Sequence, residues 1–372
     1  MTRVTALEPS GNLYGSEYCL LDILEGTSRT FDWDVVLPGG GGFDSLLESK
    51  GIPVARLLKR DSHTLPLASK LASYWSVRRH ISRNNPAVVY VNQAGMLRSA
   101  NAMTSGLGVE LVCQVQTLED AKFVAEHRDA QSRVRTFICN SKFIAAHAGV
   151  PREKTTVLYQ PMMTKNQPSM REPLPAGPQW RVGILGRISE SKGHYLLLDA
   201  AKRLLSKERT DIRFVVIGSG LTPADTSRFE SAVSEAGLSQ FFDLRGYQSA
   251  AHDELATLHL VVIPSIAEPF GRVLLDAAAT GRPVVVSDGG GLGELNRHFD
   301  IGRSFRSGNA ESFADAIAGA LASFEADTAS FQQSAARMLE RLNPDKYIEA
   351  VTTVISNAAV GRSTAMEWLG EA

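Results

Sequence analysis

Short apolar runs alternate along this chain with longer amphipathic stretches. In the first half, Val4-Ala6, Asp34-Leu37, Ala87-Val91, Glu110-Gln114, Thr136-Cys139 and Thr156-Leu158 read as strands. In the second half, Trp180-Leu185, Arg213-Ile217, Phe242-Arg245, Leu260-Ile263 and Pro283-Ser287 do. Residues 18–25, 68–83, 194–206 and 274–280 carry the helical period. Strands that are apolar throughout and alternate with helices predict parallel sheets covered on both faces. The expected class is therefore α/β. The alternation pauses once, at 161–180, which holds five prolines and no period. Such a stretch reads as a linker between domains. The expected boundaries are a first domain over 1–165, a linker over 166–179 and a second domain over 180–344. A tail over 345–372, helical in pattern, is expected to cross back onto the first domain.

Length and composition fit this division. A chain of 372 residues is too long for one ordinary core. With 44% hydrophobic and 21% charged residues it is an ordinary globular sequence. A formal net charge of -1 gives no nucleic-acid signal. Cys19, Cys113 and Cys139 lie far apart with no metal-ligand spacing, so reduced thiols are expected. No signal-peptide pattern and no apolar run near the ~20 residues of a membrane span is visible, and the expected location is cytoplasmic. Charge is uneven, however. Residues 50–109 hold nine basic side chains and one acid, Asp61, together with Tyr74 and Trp75. That segment suits peripheral contact with the anionic inner membrane surface, or an acidic acceptor. A solvated helix face is the plainer alternative.

Chemistry-bearing residues cluster just after the expected strands, where ligands sit in open α/β sheets. Gly186-Arg187 through Lys192-Gly193 follows the strand ending at Leu185. A planar guanidinium and a point-charge ammonium before a helix start suit a diphosphate. Gly218-Ser219-Gly220 follows the next strand, with two glycines that permit close approach of a ligand. Arg245-Gly246-Tyr247 offers backbone groups and a ring to a nucleobase, or an ordinary turn. The strongest signal is the run from Pro264 to Asp276. Glu268 stands in a strand-end loop before Pro269, Phe270 and Gly271, and Gly271 opens a helix containing Asp276. The free amides of that helix start suit a phosphate, Glu268 suits sugar hydroxyls and Asp276 suits a ribose. Ser287 to Glu294, with four glycines, reads as a bare flexible loop that orders over a ligand. In the first domain, Gly15-Ser16-Glu17 follows the first strand, and the glycine run 39–42 follows the second.

Together these residues resemble the family-four retaining glycosyltransferases, glycosyl transferases group 1. The carrying features are Gly186-Arg187…Lys192-Gly193, Gly218-Ser219-Gly220, Gly246-Tyr247, Glu268…Asp276, Gly293-Glu294 and Gly15-Ser16-Glu17. The resemblance is specific over 180–300 and looser over 1–160. It implies the GT-B fold: two facing Rossmann-like domains with a cleft between them, the first binding acceptor and the second the nucleotide sugar. It implies catalytic roles for Arg187, Lys192 and Glu268. Donor contacts follow from Gly15, Ser16, Gly186, Gly218, Gly220, Gly246, Tyr247, Phe270, Gly271, Arg272, Val273 and Asp276. It implies no metal and no cofactor, the nucleotide sugar being a co-substrate. Three departures stand out. Asp276 replaces the usual glutamate. Gln116-Thr117 stands where the first domain usually carries a histidine. Tyr159-Gln160-Pro161 replaces an Asn-Gly turn.

The reaction implied is transfer of a hexose from a nucleoside-diphosphate sugar, such as a UDP or GDP sugar, to a hydroxyl. The acceptor is a glycan or lipid-linked molecule, as in cell-surface polysaccharide synthesis. No side chain offers itself as a nucleophile, so a same-face reaction is expected. A nucleotide-sugar-binding pseudo-enzyme and a GT-B epimerase are the alternatives; release of nucleotide on mixing donor with acceptor separates transferase from pseudo-enzyme.

Overall fold

The computed structural model describes residues 1–13, 15–58, 66–162, 170–172 and 174–367. Tyr14 of the glycine loop, Lys59, Arg60 and Asp61 of the basic segment, 163–169 and 173 of the proline-rich stretch and 368–372 of the tail lie outside the described residues. The strands, in chain order, are β1 Thr2–Leu7, β2 Phe31–Pro38, β3 Val54–Leu58, β4 Val88–Val91, β5 Glu110–Val115, β6 Val134–Cys139 and β7 Thr155–Val157. They continue as β8 Trp180–Leu185, β9 Ile212–Ile217, β10 Phe242–Gly246, β11 Leu260–Ile263, β12 Val284–Ser287, β13 Arg303–Phe305 and β14 Met366–Glu367.

The chain forms two compact units, residues 1–160 with 344–372, and residues 161–343. The first unit holds the sheet β14-β7-β6-β5-β4-β1-β2-β3, the second β10-β9-β8-β11-β12-β13. Every strand pairing is parallel. Valine-rich strands such as β4 and β11 are buried at every position, as parallel strands covered by helices must be. In each sheet the chain starts in the middle, builds outward one way, then returns to build the other way. That is the doubly wound Rossmann order, and its reversal leaves a crevice at the carboxyl ends of the two central strands. The reversal falls between β1 and β4 in the first unit and between β8 and β11 in the second.

The helix Pro344–Ala359 belongs to the first unit. Tyr347, Val351, Val354, Ile355 and Ala358 share one buried face, at helical spacing. Burying each of the larger side chains contributes roughly 1.5–3 kcal/mol. The helix lies on Gly15–Thr27, where Gly26 makes room: a Cβ there would fall 2.5 Å from Ile348 Cδ1. Beyond it, β14 pairs with β7, and Thr364 is bonded to Thr136 and Thr156.

Three strands escape the sequence reading. Every position of β3 is exposed or half-buried at its sheet's edge, β13 has one buried residue, and β14 has two residues and forms through a long-range pairing. Of the stretch expected as a linker, 166–179, residues 170–172 and 174–179 are described. Its described part is tied to the second unit: Arg171 N donates to Thr280 O at 3.4 Å, and Arg282 Nη2 donates to Glu172 O at 2.8 Å. The three cysteines are buried and form no disulfide.

Candidate functional site

Five loops leave the carboxyl ends of β10, β9, β8, β11 and β12 side by side, and glycines lock them together. Gly218 N donates to Gly246 O at 2.7 Å. A Cβ on Gly218 would fall 2.0 Å from Gly186 O, and one on Gly193 2.1 Å from Pro264 O. Ile188 N donates to Ser219 O at 3.0 Å, and Ile266 N to Ser191 O at 2.9 Å. The loop after β11 then meets the chain after β12. Gly291 N donates to Glu268 O at 2.8 Å, and a Cβ on Gly290 would fall 2.4 Å from that oxygen.

This packing overturns one expectation. The run Ser287–Glu294 is not a flexible loop: it opens the helix Gly290–Phe299, with Gly291 and Gly293 buried. Its glycines bring a helix start against the Glu268 backbone. At Gly218 and Gly220 the Cβ directions are filled from within the unit. Gly186 O fills the first, and Asp225 Cβ, 2.5 Å from a Cβ on Gly220, fills the second.

The polar side chains stand on this frame. Lys192 Nζ donates to Glu268 Oε2 at 2.7 Å, across the reversal between β8 and β11. Glu268 is the more buried partner, its side chain 13% exposed. Arg187, on the same loop as Lys192, is exposed and makes no hydrogen bond among the described residues. It lines a cavity of about 410 Å³ with Ser189, Tyr195, Asp225 and Arg228. Gly186, at φ 140°, makes the turn that starts the loop. His194, buried at the following helix start, accepts from Ser189 N at 3.4 Å. Burial pushes its pKa down to about 4, so it is neutral beside Lys192.

Gly271, at φ 111°, precedes the helix Arg272–Thr280 with no side-chain cap. The first amides of that helix, Arg272 and Val273, have no carbonyl within the helix to serve. Phe270 is buried, Arg272 exposed and Val273 half-buried. Asp276, on the same helix, has Oδ1 3.0 Å from His252 Nε2 on the helix Ala251–Ala256. That carboxylate raises the histidine's pKa. Tyr247 is 79% exposed just after Gly246.

In the first unit the reversal between β1 and β4 is occupied by Glu8 and Asn92. Asn92 Nδ2 donates to Glu8 Oε2 at 2.5 Å, Gln93 Nε2 to Glu8 Oε1 at 3.0 Å, and Ser10 N to Glu8 Oε1 at 2.7 Å. Burial nonetheless pushes the Glu8 pKa up to about 8. Gly15 opens the helix Gly15–Thr27, earlier than its period indicated. Ser16 and Glu17 join Glu8 through Asn92 and Gln93. Gln116, standing for the family's usual histidine, donates to Asn92 O at 3.2 Å and accepts from Gln160 at 3.2 Å. Thr117 caps the helix Leu118–Glu126. Glu8 and His252 were both missed in the sequence. The available signals were an acid directly after the first strand, and a short Asp276 in want of a partner.

The basic segment is also less free than its composition suggested. Lys50 pairs with Glu25, Arg56 with Asp44 and Glu48, and Arg78 donates to the carbonyls of Met103 and Ser105. Among the described residues, what remains is exposed Arg98 on the helix Leu97–Thr104 and one face of the helix Leu67–Asn84. Leu67, Leu71 and Trp75 lie there at 72%, 50% and 61% exposure, beside exposed Arg79 and Arg83. No helix among the described residues is long and apolar enough to cross a membrane.

The sequence over residues 166–354 matches the family described as glycosyl transferases group 1. The chain is 32% identical over 184 residues to a lipopolysaccharide core biosynthesis mannosyltransferase of Rhizobium meliloti, covering 47% of this chain and 50% of the relative. It is 34% identical over 115 residues to a 2-deoxystreptamine glucosyltransferase of Streptomyces kanamyceticus, covering 30% of this chain and 28% of that relative. The chain thus spans about a quarter to a half of the length of the curated relatives it matches. Its fold resembles that of Anabaena HepE in complex with UDP-glucose, with a TM-score of 0.81 at 21% identity over 96% of this chain and 100% of that one. It also resembles a sucrose-phosphate synthase from Thermosynechococcus elongatus, with a TM-score of 0.80 at 14% identity over 97% and 100%. With the group 1 family model matching 189 of 372 residues, the two doubly wound parallel sheets and these likenesses in fold, the chain belongs to the glycosyl transferases group 1 family and has the GT-B fold.

Proposed function

We propose that this chain moves a hexose from a nucleoside-diphosphate sugar to an acceptor hydroxyl, with retention at the anomeric carbon. The observation that carries the reading is the Lys192–Glu268 pair at the reversal of the second sheet. In a nucleotide sugar the outer phosphate is bonded directly to the anomeric carbon. Its site must set a cation beside a hydroxyl acceptor within a few ångströms. An ammonium alone would suit any anion, and a carboxylate alone would repel a phosphate. Side by side they suit an anion joined to a polyol.

In this reading Arg187 and Lys192 take the diphosphate and stabilise the charge that develops as it leaves. Glu268 accepts hydrogen bonds from the hexose. The amides of Gly271, Arg272 and Val273, with the backbone of Phe270, serve sugar and phosphate at a helix start. Asp276 takes the ribose, and Tyr247 with Gly246 lies near the base. Gly186 shapes the phosphate loop, and Gly218 and Gly220 offer backbone to the donor. Gly15 and Ser16 are proposed as further donor contacts. Two cations do the work a metal would otherwise do, so no metal and no cofactor is proposed. The acceptor oxygen bonds to the anomeric carbon as the bond to phosphate oxygen breaks on the same face. The acceptor's proton passes to the leaving phosphate, and the products are a glycoside and a nucleoside diphosphate.

The relative named for lipopolysaccharide core biosynthesis supports a glycan or lipid-linked acceptor and a role in cell-surface glycan synthesis. The apolar stripe of the helix Leu67–Asn84, edged by Arg79 and Arg83, supports a cytoplasmic protein that touches the inner membrane surface. A thermal-shift panel of uridine, guanosine and adenosine diphosphate sugars tests donor binding. One of them raises Tm by several degrees when present far above its Kd. No rise with any member contradicts the reading. The anomeric proton coupling of the product then tests retention, and an inverted product contradicts the same-face step.

A further inference from the structure

The acid on the helix Arg272–Thr280 is an aspartate, with a single methylene between backbone and carboxyl. A side chain so short reaches little way toward a ligand and sets its carboxyl plane only with help. In this chain the help is at hand. His252 Nε2 lies 3.0 Å from Asp276 Oδ1, and the two side chains are 32% and 27% exposed. Both are thus accessible at the surface. The other oxygen, Oδ2, accepts no hydrogen bond among the described residues. The ring nitrogen Nδ1 of His252 is likewise without a partner among them. The histidine follows the Gly246-Tyr247 turn by a few residues, on the helix Ala251–Ala256 that comes next in the chain after β10.

We infer that His252 is a positioning residue for the ribose: it holds Oδ1 of Asp276 so that Oδ2 faces the vicinal diol of the nucleoside. The inference rests on the reading that Asp276 takes the ribose. One carboxylate oxygen accepts from the imidazole, leaving the other with its lone pairs for the 2′- and 3′-hydroxyls. A glutamate reaches the same diol by its own length, which makes the histidine dispensable in its presence. The pair therefore reads ribose against deoxyribose, and it does so without touching the sugar being transferred.

Calorimetric titration of the full chain with uridine, guanosine and adenosine diphosphates identifies the nucleotide that binds. The same titration with its 2′,3′-dideoxy form gives a ribose preference. A pair of hydrogen bonds to a carboxylate makes that preference about tenfold or more in the wild type. In His252→Ala it falls to about two- or threefold, and the donor KM rises while kcat holds, as loss of uniform binding predicts. In the double variant His252→Ala/Asp276→Glu the preference returns. Failure of the double variant to regain it makes the role of His252 merely structural and overturns the inference. If His252→Ala keeps the preference while Asp276→Asn loses it, the inference falls and the ribose reading of Asp276 stands. If Asp276→Asn also keeps it, the ribose reading itself fails, and the inference with it. Absence of binding by all three diphosphates to the wild type overturns both.

Discussion

Lys192 Nζ and Glu268 Oε2 lie 2.7 Å apart, joining the loop after β8 to the loop after β11 at the point where the second sheet reverses its winding. The backbone supports the pair on both sides. Ile266 N is bonded to Ser191 O, and Gly291 N to Glu268 O. Replacing Lys192 by Ala removes one of the two cations assigned to the leaving diphosphate. Its kcat/KM falls by about 100-fold or more, on the scale of losing one group that stabilises transition-state charge. Steady-state kinetics with the preferred nucleotide sugar reads this, and a loss below about threefold would count against the role.

Gly290 tests the frame beneath that pair. Its φ is 66°, and a Cβ there would meet Glu268 O at 2.4 Å. Gly290→Ala therefore costs about 2 kcal/mol or more, from left-handed strain plus a backbone clash. Gly95, with nothing within 4 Å of a Cβ and no positive φ, is the control. Thermal denaturation should show a clear fall in Tm for Gly290→Ala and little change for Gly95→Ala.

Glu8 gives a pH signature. Its ordinary value is 4.5, and burial raises it to about 8 in the folded chain. Between those values the folded protein keeps a proton that the unfolded chain has lost. Stability from this group is complete below about pH 4.5 and declines as pH rises through about 8. Glu8→Gln has no such proton to lose. Its Tm relative to the wild type should therefore climb steadily from pH 5 to pH 8. A constant offset would mean that Glu8 titrates normally.

Leu71 and Trp75 test the membrane reading, being 50% and 61% exposed on one helix face. Leu71→Ser/Trp75→Ser removes two apolar contacts of roughly 1.5–3 kcal/mol each if they enter the lipid interface. Cosedimentation with phosphatidylglycerol vesicles should drop at least tenfold in apparent affinity, a decade being about 1.4 kcal/mol. Equal binding by variant and wild type would leave the stripe without that role.

Much of this was legible in the sequence, for physical reasons. Strands such as Leu260–Ile263, buried on both faces, write a continuous apolar run that no exposed element imitates. Glu268 and Asp276 stood out because an acid-Pro-Phe-Gly loop before a helix is unusual for a plain cap. The glycine run at 289–293 was misread, because a glycine that admits a neighbour's backbone looks in sequence like one that grants flexibility. His252 was invisible for another reason. Its partner lies 24 residues away on another helix, and no local period connects them. Glu8, Asn92 and Gln93 meet only because the sheet places β1 beside β4.

The central claim is that two cations on one loop stabilise a departing nucleoside diphosphate. Arg187 tests it most directly, since the side chain is exposed and bonded to nothing among the described residues, so its removal leaves the fold unchanged. Single-turnover release of nucleoside diphosphate from the preferred donor, with acceptor present, should be about 100-fold slower or more in Arg187→Ala than in the wild type, at an unaltered Tm. Equal release by the two proteins would contradict the account.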